Sequence, residues 1–126
     1  MDIVIVDDSE LVRERVAKQI SEIPGISVTG EAGNSIEAME IVKLNQPDVM
    51  ILDIKMPGES GIEVLRKVKE EYPSIVIIML TNYPFLQYRA KCYEYGVDYF
   101  LDKSEEFDKV TEILSQLRYN FSEGPK

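Results

Sequence analysis

Four of the five short apolar runs in this chain end on a polar residue. Ile3-Val4-Ile5-Val6 runs into Asp7-Asp8, and Val49-Met50-Ile51-Leu52 runs into Asp53. Val76-Ile77-Ile78-Met79-Leu80 runs into Thr81, and Tyr99-Phe100-Leu101 into Asp102-Lys103. With a further run at 26–30, the pattern predicts strands at 3–6, 26–30, 48–52, 75–80 and 98–101. The runs are apolar along their length rather than alternating, which is the pattern of strands covered on both faces. Helical spacing lies between them: Leu11, Val12, Val16 and Ile20 within 10–22, and Ile62, Leu65, Val68 and Tyr72 within 61–72. A last helix carries Phe107, Val110, Leu114, Leu117 and Phe121 at steps of three and four, an apolar stripe for the sheet.

The punctuation supports the same elements. Asn34 with Glu37, and Ser60 with Glu63, read as helix N-caps with an acidic partner three residues on. Pro84 suits the first turn of a fourth helix and Gly96 its end. Ser104 with Glu105 and Glu106 reads as the cap and acidic first turn of the last helix. Pro24-Gly25, Pro47 and Pro73 fall in connections before strands. Five βα units imply right-handed crossovers and a five-stranded parallel α/β sheet with helices on both faces. In the order 2-1-3-4-5, Asp53 stands between the acidic pair and Lys103, at the carboxyl edge where such sheets bind ligands.

Length and charge narrow the function. The 126 residues suffice for one domain, here residues 1–121, with a polar, fraying tail at 122–126. With 44% hydrophobic and 29% charged residues the composition is that of a folded globular protein. The net charge of −9 disfavours direct contact with nucleic acid or anionic membranes. The longest apolar run is too short to span a bilayer, and the N-terminus lacks a signal-peptide pattern, so a cytoplasmic location is expected. One cysteine, Cys92, permits no internal disulfide and is expected to pack as a small apolar residue. The absence of histidine excludes a His phosphocarrier, a Ser-His-Asp hydrolase and a His-ligated zinc enzyme.

The polar residues at the strand ends suit phosphoryl chemistry. Gathering Asp7, Asp8 and Asp53 costs several kcal/mol in repulsion unless a cation joins them. Mg²⁺ fits that role, since it accepts one or two carboxylates, a carbonyl and waters. Lys103 brings a second positive charge. A simple cap on the first helix would account for one of Asp7 and Asp8, but not for Asp53 and Lys103. Asp53 is the candidate nucleophile, because a carboxylate can accept a phosphoryl group once the charge between them is screened. The loop Ile54-Lys55-Met56-Pro57-Gly58 leaves a backbone carbonyl available to the metal, and Thr81 offers a hydroxyl to a phosphoryl oxygen.

The segments Val4–Ser9 and Val49–Gly58, Thr81, and Tyr99–Ser104 together resemble the receiver domain of bacterial two-component response regulators, over residues 2 to about 118. The resemblance implies a flavodoxin-like (βα)₅ fold and a phosphoprotein that signals rather than an enzyme, although it assists its own phosphorylation and dephosphorylation. It implies that Asp53 accepts a phosphoryl group from a sensor histidine kinase or a phosphotransfer protein. Asp8 is then a direct Mg²⁺ ligand, Asp7 binds mostly through water, and Asp53 and the Lys55 carbonyl complete the protein ligands. Lys103 and Thr81 contact the phosphoryl oxygens. Thr81 pairs with an aromatic switch residue, Phe100, with Tyr99 beside it. The output surface is the fourth helix, fifth strand and fifth helix, through which a downstream protein or a second copy docks.

This chain departs from the family pattern at several positions. Ser104 stands where proline is common after the lysine. Phe100 has no hydroxyl, so a switch here is a packing event. Asn82 and Tyr83 replace small residues after Thr81 and are expected to crowd the site and slow phosphoryl hydrolysis. Tyr83, Tyr88, Tyr93 and Tyr95, beside Phe85, Arg89 and Lys91, make the fourth helix rich in residues favoured at interfaces. A free-standing receiver and a piece of a longer DNA-binding regulator both fit. Among rivals, a haloacid-dehalogenase-like phosphatase needs Asp-x-Asp after its first strand, where this chain has Asp7-Asp8-Ser9-Glu10. A flavodoxin-like FMN binder needs a phosphate cradle that Asp7 and Asp8 would repel. An intact acid cluster argues against a pseudo-receiver that takes no phosphate.

Overall fold

A computed structural model describes residues 1–122. Strands β1 (Asp2–Val6), β2 (Ser27–Ala32), β3 (Val49–Leu52), β4 (Val76–Thr81) and β5 (Tyr99–Asp102) alternate with helices α1 (Glu10–Ser21), α2 (Ser35–Asn45), α3 (Gly61–Glu71), α4 (Leu86–Glu94) and α5 (Lys109–Ser122). All four pairings are parallel, in the order β2-β1-β3-β4-β5. This is the flavodoxin-like arrangement expected from the strand-and-helix alternation.

Because side chains alternate across a strand, the apolar runs feed two cores. Val4, Val6, Met50, Leu52, Ile77, Met79 and Phe100 pack on one face with residues of α2, α3 and α4. Ile3, Ile5, Val49, Ile51, Ile78, Leu80 and Leu101 pack on the other with residues of α1 and α5. Apart from Asp2 and the half-buried Val76 at their starts, the central strands β1, β3 and β4 are buried, as predicted. β2 differs: it is an edge strand whose residues alternate between exposed and half-buried until Ala32. Cys92 is fully buried in the first core, and burial pushes its thiol up to about 11, so it behaves as an apolar filler. No helix among the described residues is long and apolar enough to cross a membrane.

Two predicted helix starts move. Residues 103–108 are turns and α5 begins only at Lys109. The cause is Asp102, whose Oδ1 accepts both the Ser104 N–H at 2.9 Å and its hydroxyl at 2.8 Å. Glu106 then closes the turn, with Oε1 accepting the Asp102 N–H at 3.0 Å while its own N–H bonds the Asp102 carbonyl at 2.8 Å. Ser104 is therefore committed to a local turn and caps no helix. Likewise Pro84 precedes the N-cap, Phe85, rather than lying in the first turn of α4. Gly96 follows the α4 C-cap at φ +92°, as a helix-ending glycine should. Ser122, assigned to the tail from sequence, is the last residue of α5; the rest of that tail and the side chain of Phe121 lie outside the described residues.

Candidate functional site

Strand register brings the acids together. Val6 of β1 pairs with Leu52 of β3, so Asp7 and Asp53 are both the first residues past their strands. The ladder runs one step further, since the Asp53 N–H bonds the Val6 carbonyl at 3.0 Å. On the other side β4 and β5 end together, Thr81 opposite Asp102, and the Lys103 N–H bonds the Thr81 carbonyl at 2.8 Å. Four strand ends thus deliver their polar residues to one edge.

There, oxygens of Asp7, Asp8 and Asp53 lie within 4.8 Å of one another. Lys103 Nζ reaches across the sheet edge to Asp7 Oδ2 at 2.7 Å and Asp53 Oδ2 at 3.2 Å. Asp7 and Asp53 are buried, while Asp8 is exposed. The other oxygens of the buried pair are also engaged: Asp7 Oδ1 accepts the Ser9 N–H at 2.9 Å, and Asp53 Oδ1 the Ile54 N–H at 2.7 Å. Neither Asp7 nor Asp8 caps α1; Ser9 does, accepting the Val12 N–H at 3.3 Å.

One lysine faces three carboxylates, and the titration behaviour reflects it. Burial holds the Asp53 carboxyl above its ordinary value; the Lys103 charge lowers it, and the Asp7 charge raises it again. Burial pulls Lys103 down, but its hydrogen bond to Asp7 and the charges of Asp53 and Asp7 more than offset this and leave it raised. At 4.8 Å and an effective dielectric of 20, a carboxylate pair repels by about 3.5 kcal/mol. The cluster is therefore short of positive charge, and its donors are all hard oxygens. That set fits Mg²⁺, with Asp8 the carboxylate most open to it.

The backbone around Asp53 is fixed by residues that the periodicity alone does not single out. A Cβ on Gly61 would lie 1.8 Å from the Asp53 carbonyl oxygen, so only glycine lets α3 start there. The Gly61 N–H also bonds the Ile54 carbonyl at 2.8 Å. Ser35, at the start of α2, takes the Glu59 N–H on its hydroxyl at 2.8 Å and holds the loop between β3 and α3. Arg13 donates to the Asp7 carbonyl at 2.6 Å and braces the first loop. A glycine directly after the Ser60 cap was the one available sequence signal; Ser35 and Arg13 act only through tertiary contacts.

The remaining predicted residues lie around this centre. Thr81 is fully buried, and its hydroxyl oxygen accepts the Tyr83 N–H at 3.1 Å rather than meeting a carboxylate. Phe100 is already turned into the core, with the Arg89 guanidinium 4.7 Å from its ring centre. Tyr99 packs on the opposite core, so Phe100 and Tyr99 do not share a face of the sheet. Lys55 is exposed, its ammonium lying over Tyr83 and Tyr88.

Known proteins resemble the whole arrangement. Protein-glutamate methylesterase/protein-glutamine glutaminase 3 of Hahella chejuensis is 40% identical over 83 residues, 66% of this chain and 24% of that protein. Response regulator UvrY of Escherichia coli (strain K12) is 33% identical over 122 residues, 97% of this chain and 55% of that protein. The chain thus spans between about a quarter and about half the length of the curated relatives it matches. The crystal structure of the response regulator domain of Thermotoga maritima CheB superposes with a TM-score of 0.84 at 27% identity, covering 99% of this chain and 98% of that one. These likenesses do not favour the phosphatase reading. Residues 3–115 match the response regulator receiver domain, and the chain belongs to that family of two-component signalling domains.

Proposed function

We propose that Asp53 is the phosphoryl acceptor of this receiver, with Mg²⁺ held by Asp8, Asp53, the Lys55 carbonyl and, through water, Asp7. The observation that carries this reading is the half-buried Lys103 bridging the buried Asp7 and Asp53, within a cluster still in excess of negative charge. In the reaction an Asp53 oxygen attacks the phosphorus of a phosphohistidine on a sensor histidine kinase or phosphotransfer protein. The P–N bond breaks, and its electron pair returns to the imidazole nitrogen. Bound Mg²⁺ supplies positive charge for the phosphoryl oxygens. Lys103 already lies 3.2 Å from Asp53 and screens the approach of one anion to another. The same residues assist the later hydrolysis of the acyl phosphate.

Thr81 then donates its hydroxyl hydrogen to a phosphoryl oxygen and draws the segment after β4 inward. Phe100 has no hydroxyl and is already buried, so the change passes through packing around Phe100 and Arg89 to the α4-β5-α5 surface. A downstream protein or a second copy reads that surface. The test is incubation with acetyl phosphate and Mg²⁺ followed by intact mass measurement. A gain of about 80 Da, lost in Asp53→Asn, is expected for one phosphoryl group. No gain, or a gain that survives the substitution, defeats the assignment.

A further inference from the structure

Lys55 is two residues from Asp53, beside a cluster with a surplus of negative charge, yet among the described residues its ammonium forms no ion pair with a carboxylate. It lies 5.4 Å from the centre of the Tyr83 ring and 5.8 Å from that of Tyr88. Both distances are within the range at which the electron-rich face of an aromatic ring attracts a cation. The rings are themselves held. Phe85 contacts Tyr83 edge-on at 6.3 Å and Tyr88 at 5.6 Å, and the Tyr83 N–H is fixed to the Thr81 hydroxyl oxygen.

We infer that Tyr83, with Tyr88 behind it, is a positioning residue that parks the Lys55 ammonium away from the acid cluster. The reasoning rests on the metal reading given above. A lysine released beside Asp8 competes with a divalent cation for the same oxygens. Parked on the rings, Lys55 leaves those oxygens to the metal and contributes only its carbonyl. Tyr83 is thus tied to both halves of the site: its ring holds the loop after β3, and its N–H holds Thr81 at the end of β4. Its large side chain follows Thr81 because the site contains a second lysine that has to be kept aside.

Calorimetric titration of the full chain with MgCl₂ tests this without using activity. Removing the ring in Tyr83→Leu is expected to weaken Mg²⁺ binding about two- to fivefold, the ratio corresponding to an exposed cation–ring contact. Tyr83→Phe keeps the ring and is expected to bind as the unsubstituted chain does. The decisive variant is Tyr83→Leu combined with Lys55→Met, which removes the competing ammonium and is expected to restore affinity. Lys55→Met alone is the control, because deleting a nearby positive charge raises Mg²⁺ affinity by itself; the inference requires a larger gain from that substitution in the Tyr83→Leu chain than in the unsubstituted one. Undiminished binding in Tyr83→Leu, failure of the double variant to recover, or a Tyr83→Phe as weak as Tyr83→Leu each overturns the inference. Should the unsubstituted chain bind no Mg²⁺ at all, the metal reading itself falls, which is a separate result.

Discussion

The two ends of the sheet each hold a lysine–aspartate network, and the contrast between them separates a site from a strut. At the amino end Lys69 Nζ meets Asp98 Oδ2 at 2.8 Å, the Ile77 N–H bonds the same oxygen at 2.8 Å, and Lys69 also donates to the Ile75 carbonyl at 2.7 Å. One positive charge faces one negative, and each also meets a backbone group. At the carboxyl end Lys103 faces Asp7, Asp53 and the nearby Asp8, and no arrangement of a single lysine balances three carboxylates. The ion pairs are of similar length. What differs is the charge left over, and unbalanced buried charge is kept where chemistry uses it. A cavity of about 430 Å³ lies at the amino end, lined by Gln46, Pro47, Asp48, Glu71, Tyr72 and Pro73 among others, away from the three-carboxylate cluster. Volume alone does not mark the site.

The largest difference between the ends is expected from glycine substitution. In Gly61→Ala the new Cβ meets the Asp53 carbonyl oxygen at 1.8 Å and its carbon at 2.8 Å, and only backbone movement relieves that. A loss of about 3 kcal/mol or more in urea unfolding is expected. Gly96→Ala at the other end meets only the Lys69 side chain at 3.8 Å, leaving the cost of its φ of +92°. About 1–2 kcal/mol is expected there. Equal losses would show that the close approach of α3 to Asp53 is not a tight constraint.

Metal addition should act at one end alone. At a hundredfold excess over its dissociation constant, Mg²⁺ stabilises a chain that binds it by about 2.7 kcal/mol, read as a rise in melting temperature. Asp8→Asn is expected to lose most of that gain and Asp98→Asn none of it. A full gain in Asp8→Asn would remove the exposed acid from the ligand set.

These contrasts also show what the sequence could and could not reveal. Asp7, Asp53 and Thr81 were legible because each follows an uninterrupted apolar run, and Lys103 because it comes one residue after one; strands end at such runs or one residue past them. Parallel register then put them together without further instruction. The start of α5 was not legible, because Ser104 offers the same side chain to a helix cap or to a turn, and Asp102 decides between them. Gly61 and Ser35 escaped for a related reason: their roles lie in distances to residues far along the chain or around a loop. The parked Lys55 is of the same kind, since charge alone would place it on an acid. Local pattern specifies elements, whereas close approach and competition for partners are properties of the assembled edge.

The finest comparison is the same substitution made at both ends. Asp98→Asn weakens a balanced pair and a hydrogen bond to the Ile77 N–H, so a loss of about 1 kcal/mol is expected. Asp53→Asn removes one of the repelling buried carboxylates, so a gain of about 1–2 kcal/mol is expected even though the substitution takes away the proposed phosphoryl acceptor. The gain should depend on pH. Asp53 is held above its ordinary 3.8 in the folded chain, so the folded state binds its proton more readily than the unfolded state. The stability it contributes is fully present below 3.8 and is lost as pH rises through the raised value. Unfolding of the two chains should therefore differ most at neutral pH and converge as pH falls toward 3.8. Asp102 and Glu106 run the other way, being lowered first by hydrogen bonds from Ser104 and Lys109. They destabilise both chains alike on acidification, so subtracting one unfolding curve from the other isolates Asp53. A difference that stays constant with pH would mean that lost packing, rather than relieved charge, separates the two, and the imbalance that distinguishes the carboxyl end would then lack its energetic signature.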